Sequence, residues 1–148
     1  MEHWAELIGL IGRGMGLAIA INGTEAERRH FEPLLALPGV QSLLGSPLPT
    51  LIQALAKARC LVSVDTGTMH LSAALGTPVL ALIGPTNPEL TGPYSKKVAF
   101  NVLRSGISCQ PCYRTTEEKQ CRFNRCMQEL KPDVVYDSVE RVIRLGGF

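Results

Sequence analysis

The chain has 148 residues, enough for one ordinary domain that buries roughly two-thirds of its unfolded surface and needs no staple in order to fold. Its 45% hydrophobic and 19% charged content is that of a globular protein, and no apolar run approaches the roughly 20 residues of a membrane helix. A formal charge of +2 lacks the basic excess of a protein that tracks nucleic acid, and no basic leader precedes an apolar segment, so a cytoplasmic protein without a nucleic-acid partner is expected.

In chain order, Trp4, Leu7, Ile8 and Ile11 recur at helical spacing and predict an amphipathic helix over about 2–13. The apolar run Leu17 to Ile21, bounded by Gly16 and Asn22-Gly23, reads as a strand of a parallel sheet. A helix is predicted from Glu25 to Leu37, with Thr24 as N-cap, Glu27 at capping-box spacing and Pro38-Gly39 as its stop. A short strand over Val40 to Leu44 precedes a helix near Pro49 to Ala58, whose buried stripe is Leu48, Leu51, Ile52 and Leu55. Cys60 to Val64 is the next strand and about His70 to Leu75 the next helix; a further apolar run ends at Gly84. Val98 to Leu103 is another strand candidate, and Pro132 to Leu145 a last helix with Val135, Val139, Val142 and Ile143 inward. Short strands alternating with helices predict a Rossmann-like, doubly wound parallel α/β sheet. Such a half normally opens on a strand, whereas this pattern opens on a helix, so its first strand is expected to be missing and the chain to be truncated. Nothing in the composition marks an internal boundary.

The densest chemistry lies in VSVDTGTMHLSAALGTPVLALIGPTNP, Val62 to Pro88. Here a strand ends at Asp65-Thr66-Gly67 and a helix follows at once, the corner at which open α/β sheets bind ligands. The first N–H groups of such a helix attract phosphate, Thr66 and Thr68 add hydroxyls, and Gly67 allows close backbone approach. An Asp there suits sugar hydroxyls better than a diphosphate, although it can equally cap the helix. His70 lies one turn beyond Thr66 on the same side; a lone His is more often a surface or core residue. The second loop, Gly84-Pro85-Thr86-Asn87-Pro88, ends the neighbouring strand, where Pro and Gly also make a turn that needs no ligand. Glu25 stands just past the strand at Ile21 and can accept from ribose hydroxyls, or simply favour a helix start, as Glu27 can. Gly12, Gly14 and Gly16 follow a helix and precede a strand, the reverse of a dinucleotide fingerprint.

Cys109, Cys112, Cys121 and Cys126 form C-x2-C-x8-C-x4-C, with Cys60 apart in a strand. Four close thiols in a reducing compartment suggest a structural zinc; reduced thiols or a loop disulfide are the alternatives. Arg114, Lys119, Arg122 and Arg125 make the same loop mildly basic, a patch that suits anionic lipid headgroups or a phosphorylated acceptor, or else a solvated mixed-charge face.

The segment DTGTMHLSAALGTPVLALIGPTNPELTGPY, Asp65 to Tyr94, resembles the signature of the ADP-heptose:lipopolysaccharide heptosyltransferases, glycosyltransferase family 9. The likeness continues through the cysteine segment to RCMQELKPDVV and includes the opening EHWAELIGLI. It implies the C-terminal, nucleotide-sugar-binding half, residues 1–148, of a two-domain GT-B glycosyltransferase, with the N-terminal acceptor domain absent. The implied reaction moves heptose from ADP-heptose to the lipopolysaccharide inner core with inversion, at the inner face of the inner membrane. The resemblance assigns donor contacts to Asp65, Thr66, Gly67 and His70, the ribose to Glu25 and the crevice rim to Thr86. It implies no cofactor for the chemistry and no catalytic residue in this chain: the base is expected in the missing domain, through which the acceptor would also be held. A diphosphate-binding Lys is expected just before Met1. The competing readings are a non-catalytic nucleotide-binding module and a zinc-stabilised interaction domain.

Overall fold

The computed structural model of the chain describes residues 1–95 and 100–146. It divides into two compact units, Met1–Ala54 and Leu55–Phe148. The boundary falls inside a helix rather than in a Gly- or Pro-rich linker, which is why composition alone does not reveal it.

In the first unit, helix α1 spans Glu2–Met15 and buries Leu7 and Ile8. Gly16 stops it in the left-handed region at φ 61°, where a side chain would be strained. Strand β1, Ile19–Gly23, pairs in parallel with β2, Val40–Leu44, in a register running from Ile19 opposite Val40 to Gly23 opposite Leu44. The strand therefore lies two residues later than the apolar run Leu17 to Ile21 suggests: pairing with β2 selects the ladder, and Leu17 and Ala18 serve as the link from Gly16. The helix predicted from Glu25 to Leu37 is shorter and begins differently. A 3-10 turn, Glu25–Glu27, precedes α2, Arg28–Leu35. The capping box at Thr24 is present, with the Glu27 carboxylate accepting from the Thr24 backbone N–H and hydroxyl, both at 2.7 Å. Those bonds satisfy the turn's first donors and hold the Glu27 carboxyl below its ordinary range.

The second unit carries the larger core. Helix α3, Leu48–Lys57, crosses the boundary between the units, and strand β3, Leu61–Val64, follows it. Next come α4, Gly67–Leu75; β4, Val79–Leu82; a one-turn helix α5, Pro88–Thr91; and β5, Phe100–Leu103. Two short helices, α6 (Thr116–Gln120) and α7 (Arg125–Gln128), lead to α8, Pro132–Gly146. Val98, at the start of the predicted last strand, lies outside the described residues.

Strands β3, β4 and β5 form a parallel sheet in the order β3-β4-β5, separate from the β1-β2 ladder. Central β4 is buried along its whole length, as its unbroken apolar run requires. Val79, Ala81 and Ile83 pack with Met69 and Ala73 of α4, with Val102 of β5 against them. By the two-residue period Leu80 and Leu82 point to the opposite face, and they too are buried. Helix α8 packs on β4 and β5 and buries Val135, Val139 and Val142. Each such apolar side chain contributes roughly 1.5–3 kcal/mol when withdrawn from water. Thr77, a buried polar residue on the α4-to-β4 turn, donates its hydroxyl to the Leu55 carbonyl at 2.7 Å and so satisfies the end of α3. Among the described residues, no helix is long and apolar enough to cross a membrane.

Candidate functional site

The parallel register decides what shares an edge. Val64 pairs with Leu82 and Leu82 with Leu103, so the chain leaves all three strands at their carboxyl ends together. Asp65, Ile83-Gly84 and Arg104 come next in sequence, and the loops carrying chemistry thus collect at the edge where α/β sheets hold ligands.

Helix α4 begins at Gly67, three residues earlier than its Ala/Leu pattern suggests, and its N-cap is Thr66, in extended backbone at φ −147°. The Thr66 side chain makes no cap bond to the helix. Asp65 stands one residue before the N-cap. Its Oδ2 accepts from the hydroxyl of Thr91 at 2.6 Å. The Thr66 hydroxyl lies 3.2 Å from that of Ser63. Ser63 donates its one proton to the Val64 carbonyl, so Thr66 is the donor of the pair and keeps its lone pairs for another partner. His70 lies in the first turn of α4 and is exposed, as are Thr66 and Gly67. Asp65, Thr66, Gly67 and His70 are thus brought together on one strand-to-helix corner, with the helix dipole's positive end beside them.

The second loop stands at the end of adjacent β4. Thr86 Oγ1 is buried there with no hydrogen-bond partner among the described residues. A plain turn would leave its polar side chain in water, whereas an orphaned hydroxyl at a sheet edge is what a polar ligand relieves. Asn87 caps α5, its side chain accepting from the Glu89 N–H at 3.0 Å.

Glu25 belongs to the first unit. It lies just beyond β1, and its carboxylate is gripped by the Arg28 guanidinium through Nε and Nη2. That bond holds the Glu25 carboxyl below its ordinary range. Gly45, at φ 66°, comes so close that a Cβ there would lie 2.8 Å from a Glu25 carboxylate oxygen.

The cysteine loop is docked on the second loop. The N–H groups of Cys112 and Tyr113 donate to the Pro85 carbonyl at 2.9 and 3.0 Å. A Cβ on Gly84 would meet Met127 Sδ at 3.1 Å and Cys126 Sγ at 3.5 Å, so α7 closes tightly over that turn. Cys112 and Cys126 are buried there, and burial pushes both thiols up. Cys109 and Cys121 instead line a neighbouring cleft of about 330 Å³ with Glu117, Arg122, Phe123 and Arg125. The Cys121 thiol is held below its ordinary range by the backbone N–H groups of Arg125 and Phe123. Among the described residues no three of His, Cys, Asp or Glu are grouped so as to hold a metal ion, and all four cysteines of this loop are free. Cys60 stands apart, its thiol pushed up to about 12 by burial.

Hydrogen bonds close this loop. Gln110 Nε2 donates to the carbonyls of Ile83 (3.1 Å) and Gly84 (2.8 Å), while its Oε1 accepts from the Ser105 hydroxyl and the Gly106 N–H at 3.0 and 3.1 Å. One amide thereby clamps the ends of β4 and β5 together. Gln110→Ala strands two carbonyls and is expected to lower stability by about 1–3 kcal/mol. Hydrogen exchange should quicken across residues 105–113; unchanged protection there would show that Gln110 does not hold the loop. Sequence reasoning missed both Gln110 and Thr91, whose partners lie 26 or 27 residues away along the chain.

The profile of glycosyltransferase family 9 (heptosyltransferase) matches residues 1–122. The chain is 35% identical to lipopolysaccharide heptosyltransferase 1 of Pseudomonas aeruginosa over 155 aligned residues, covering 95% of this chain and 43% of that protein. It is 38% identical to lipooligosaccharide heptosyltransferase 2 of Haemophilus influenzae, covering 95% of this chain and 42% of that protein. Among solved structures, E. coli heptosyltransferase WaaC with ADP superposes with a TM-score of 0.71 at 30% identity, over 95% of this chain and 38% of that one. The chain therefore spans about two-fifths of the length of the curated relatives it matches. With a matching profile over most of its residues and a parallel α/β architecture shared with those neighbours, the chain belongs to glycosyltransferase family 9, the heptosyltransferases.

Proposed function

We propose that these residues are the donor-binding, C-terminal half of an enzyme that transfers heptose from ADP-heptose to the lipopolysaccharide inner core with inversion. The observation that carries this reading is the Asp65-Thr66-Gly67 corner at the carboxyl end of β3, where α4 opens from Thr66 with the Thr66 side chain not bonded to the helix. A diphosphate seated there meets the positive end of the helix dipole, which also stabilises the charge that grows on it as the sugar departs. The Asp65 oxygen not engaged by Thr91 accepts from sugar hydroxyls through charge-assisted bonds. The Thr86 hydroxyl supplies a further partner at the adjacent strand end. The solved relative described as holding ADP supports an adenine nucleotide as the donor's leaving group.

Inverting transfer also needs a base to take the acceptor's proton, and this reading places it on another domain. The 148-residue chain is then expected to bind ADP-heptose more tightly than ADP alone, with no transfer to a lipopolysaccharide acceptor. Titration calorimetry and a product assay on the purified chain test both halves. Turnover by the chain alone would overturn the division of labour. Equal affinity for ADP and ADP-heptose would favour a nucleotide-binding module that ignores the sugar.

A further inference from the structure

Helix α5 is a single turn, and every backbone bond in it serves one geometry. The N–H groups of Leu90 and Thr91 both donate to the Asn87 carbonyl at 3.0 Å, and that of Gly92 to the Pro88 carbonyl at 2.9 Å. Gly92 can carry no side chain, because a Cβ there would overlap the Pro88 carbonyl oxygen. A turn this tight presents the Thr91 side chain in a fixed place. Its Oγ1 reaches Asp65 Oδ2 at 2.6 Å and lies 3.2 Å from the Asn87 carbonyl. A hydroxyl has one proton, and the shorter, charge-assisted bond to the carboxylate claims it.

We propose that Thr91 is the positioning residue of Asp65, holding one carboxylate oxygen so that the other is set to accept from the hydroxyls of the donor's sugar. The proposal rests on the donor-binding reading above and adds to it how the β4 loop governs the acid on the β3 corner. Asp65 lies one residue before the N-cap of α4 and would otherwise sample several rotamers. Tied to α5, it is pre-organised, and ordering it upon binding costs less. The tie also joins two loops at the ends of adjacent strands, so the sugar's partner is held in register with the Thr86 side of the site.

The test compares the affinity for ADP-heptose with that for ADP in the full chain, because Asp65 is assigned to the sugar and not to the nucleotide. Thr91→Val removes the hydroxyl at nearly constant shape. It is expected to lower the ratio of ADP-heptose to ADP affinity by about three- to tenfold, the worth of one hydrogen bond, with ADP affinity and thermal midpoint unchanged. Thr91→Ser, which keeps the hydroxyl, should restore the ratio. Loss of ADP and ADP-heptose affinity in parallel, together with a lower midpoint, would make Thr91 a purely structural residue and overturn the proposal. Asp65→Asn separates the two levels. If Asp65→Asn lowers the ratio and Thr91→Val does not, the positioning role is wrong and the donor reading stands. If Asp65→Asn leaves the ratio unchanged, the assignment of Asp65 to the sugar fails and the role of Thr91 fails with it.

Discussion

Asp65→Ala is expected to lower the affinity of the chain for ADP-heptose by about 10- to 100-fold, the range of one to two hydrogen bonds to a charged group. The carboxylate stands after β3, between the start of α4 and Thr91 of α5, and the Thr91 hydroxyl bonds its Oδ2. Thr66 occupies the N-cap position of α4, so replacing Asp65 leaves the N-cap residue in place. The far-ultraviolet circular dichroism and thermal midpoint of the variant should therefore match the parent's, so that calorimetry reads the site alone. Unchanged affinity for ADP-heptose would remove Asp65 from the donor site, whatever the family likeness.

The largest effect on stability is expected from Met69→Ala, a loss of about 2–5 kcal/mol, typical of truncating a large buried side chain without collapse of the surroundings. Met69 is fully buried against Val79, Ala81 and Ile83 of the central strand. It also lies in the first turn of α4, so the cavity would open directly beneath the corner that carries Asp65, Thr66 and Gly67. Donor affinity should fall along with stability, because the N–H groups of α4 lose their anchored position. The neighbouring His70→Ala provides the contrast. His70 is exposed, and its removal should change stability by no more than about 0.5 kcal/mol. Urea unfolding of both variants decides the matter: a Met69→Ala cost below that of His70→Ala would show that α4 is not held by this core.

A family assignment does not by itself place hydrogen bonds. Relatives covering 95% of this chain establish its family, but the bonds of Thr91 and Gln110 and the burial of the Thr86 hydroxyl are read from distances and burial. That difference explains why the corner's chemistry is legible in the sequence and its control is not. An Asp-Thr-Gly at a strand end is a local pattern, whereas a hydroxyl 26 residues away acts through space.

The element types, the parallel α/β class and the corner that gathers Asp65, Thr66, Gly67 and His70 are all written in the amino-acid order. They rest on local rules: period-two and period-3.6 apolar patterns, a capping box at Thr24 and a strand running straight into a helix. Packing in three dimensions set what local rules cannot reach. Pairing with β2 moved β1 to Ile19–Gly23, because register is a property of two strands. Cys112 and Cys126 dock on the Gly84-Pro85 turn, a contact between segments far apart along the chain that no local spacing rule reaches. Asp65 itself reads from sequence as either a helix cap or a ligand group. The tertiary structure adds a bond from Thr91 of a neighbouring loop to one of its carboxylate oxygens, a contact that no local pattern reveals.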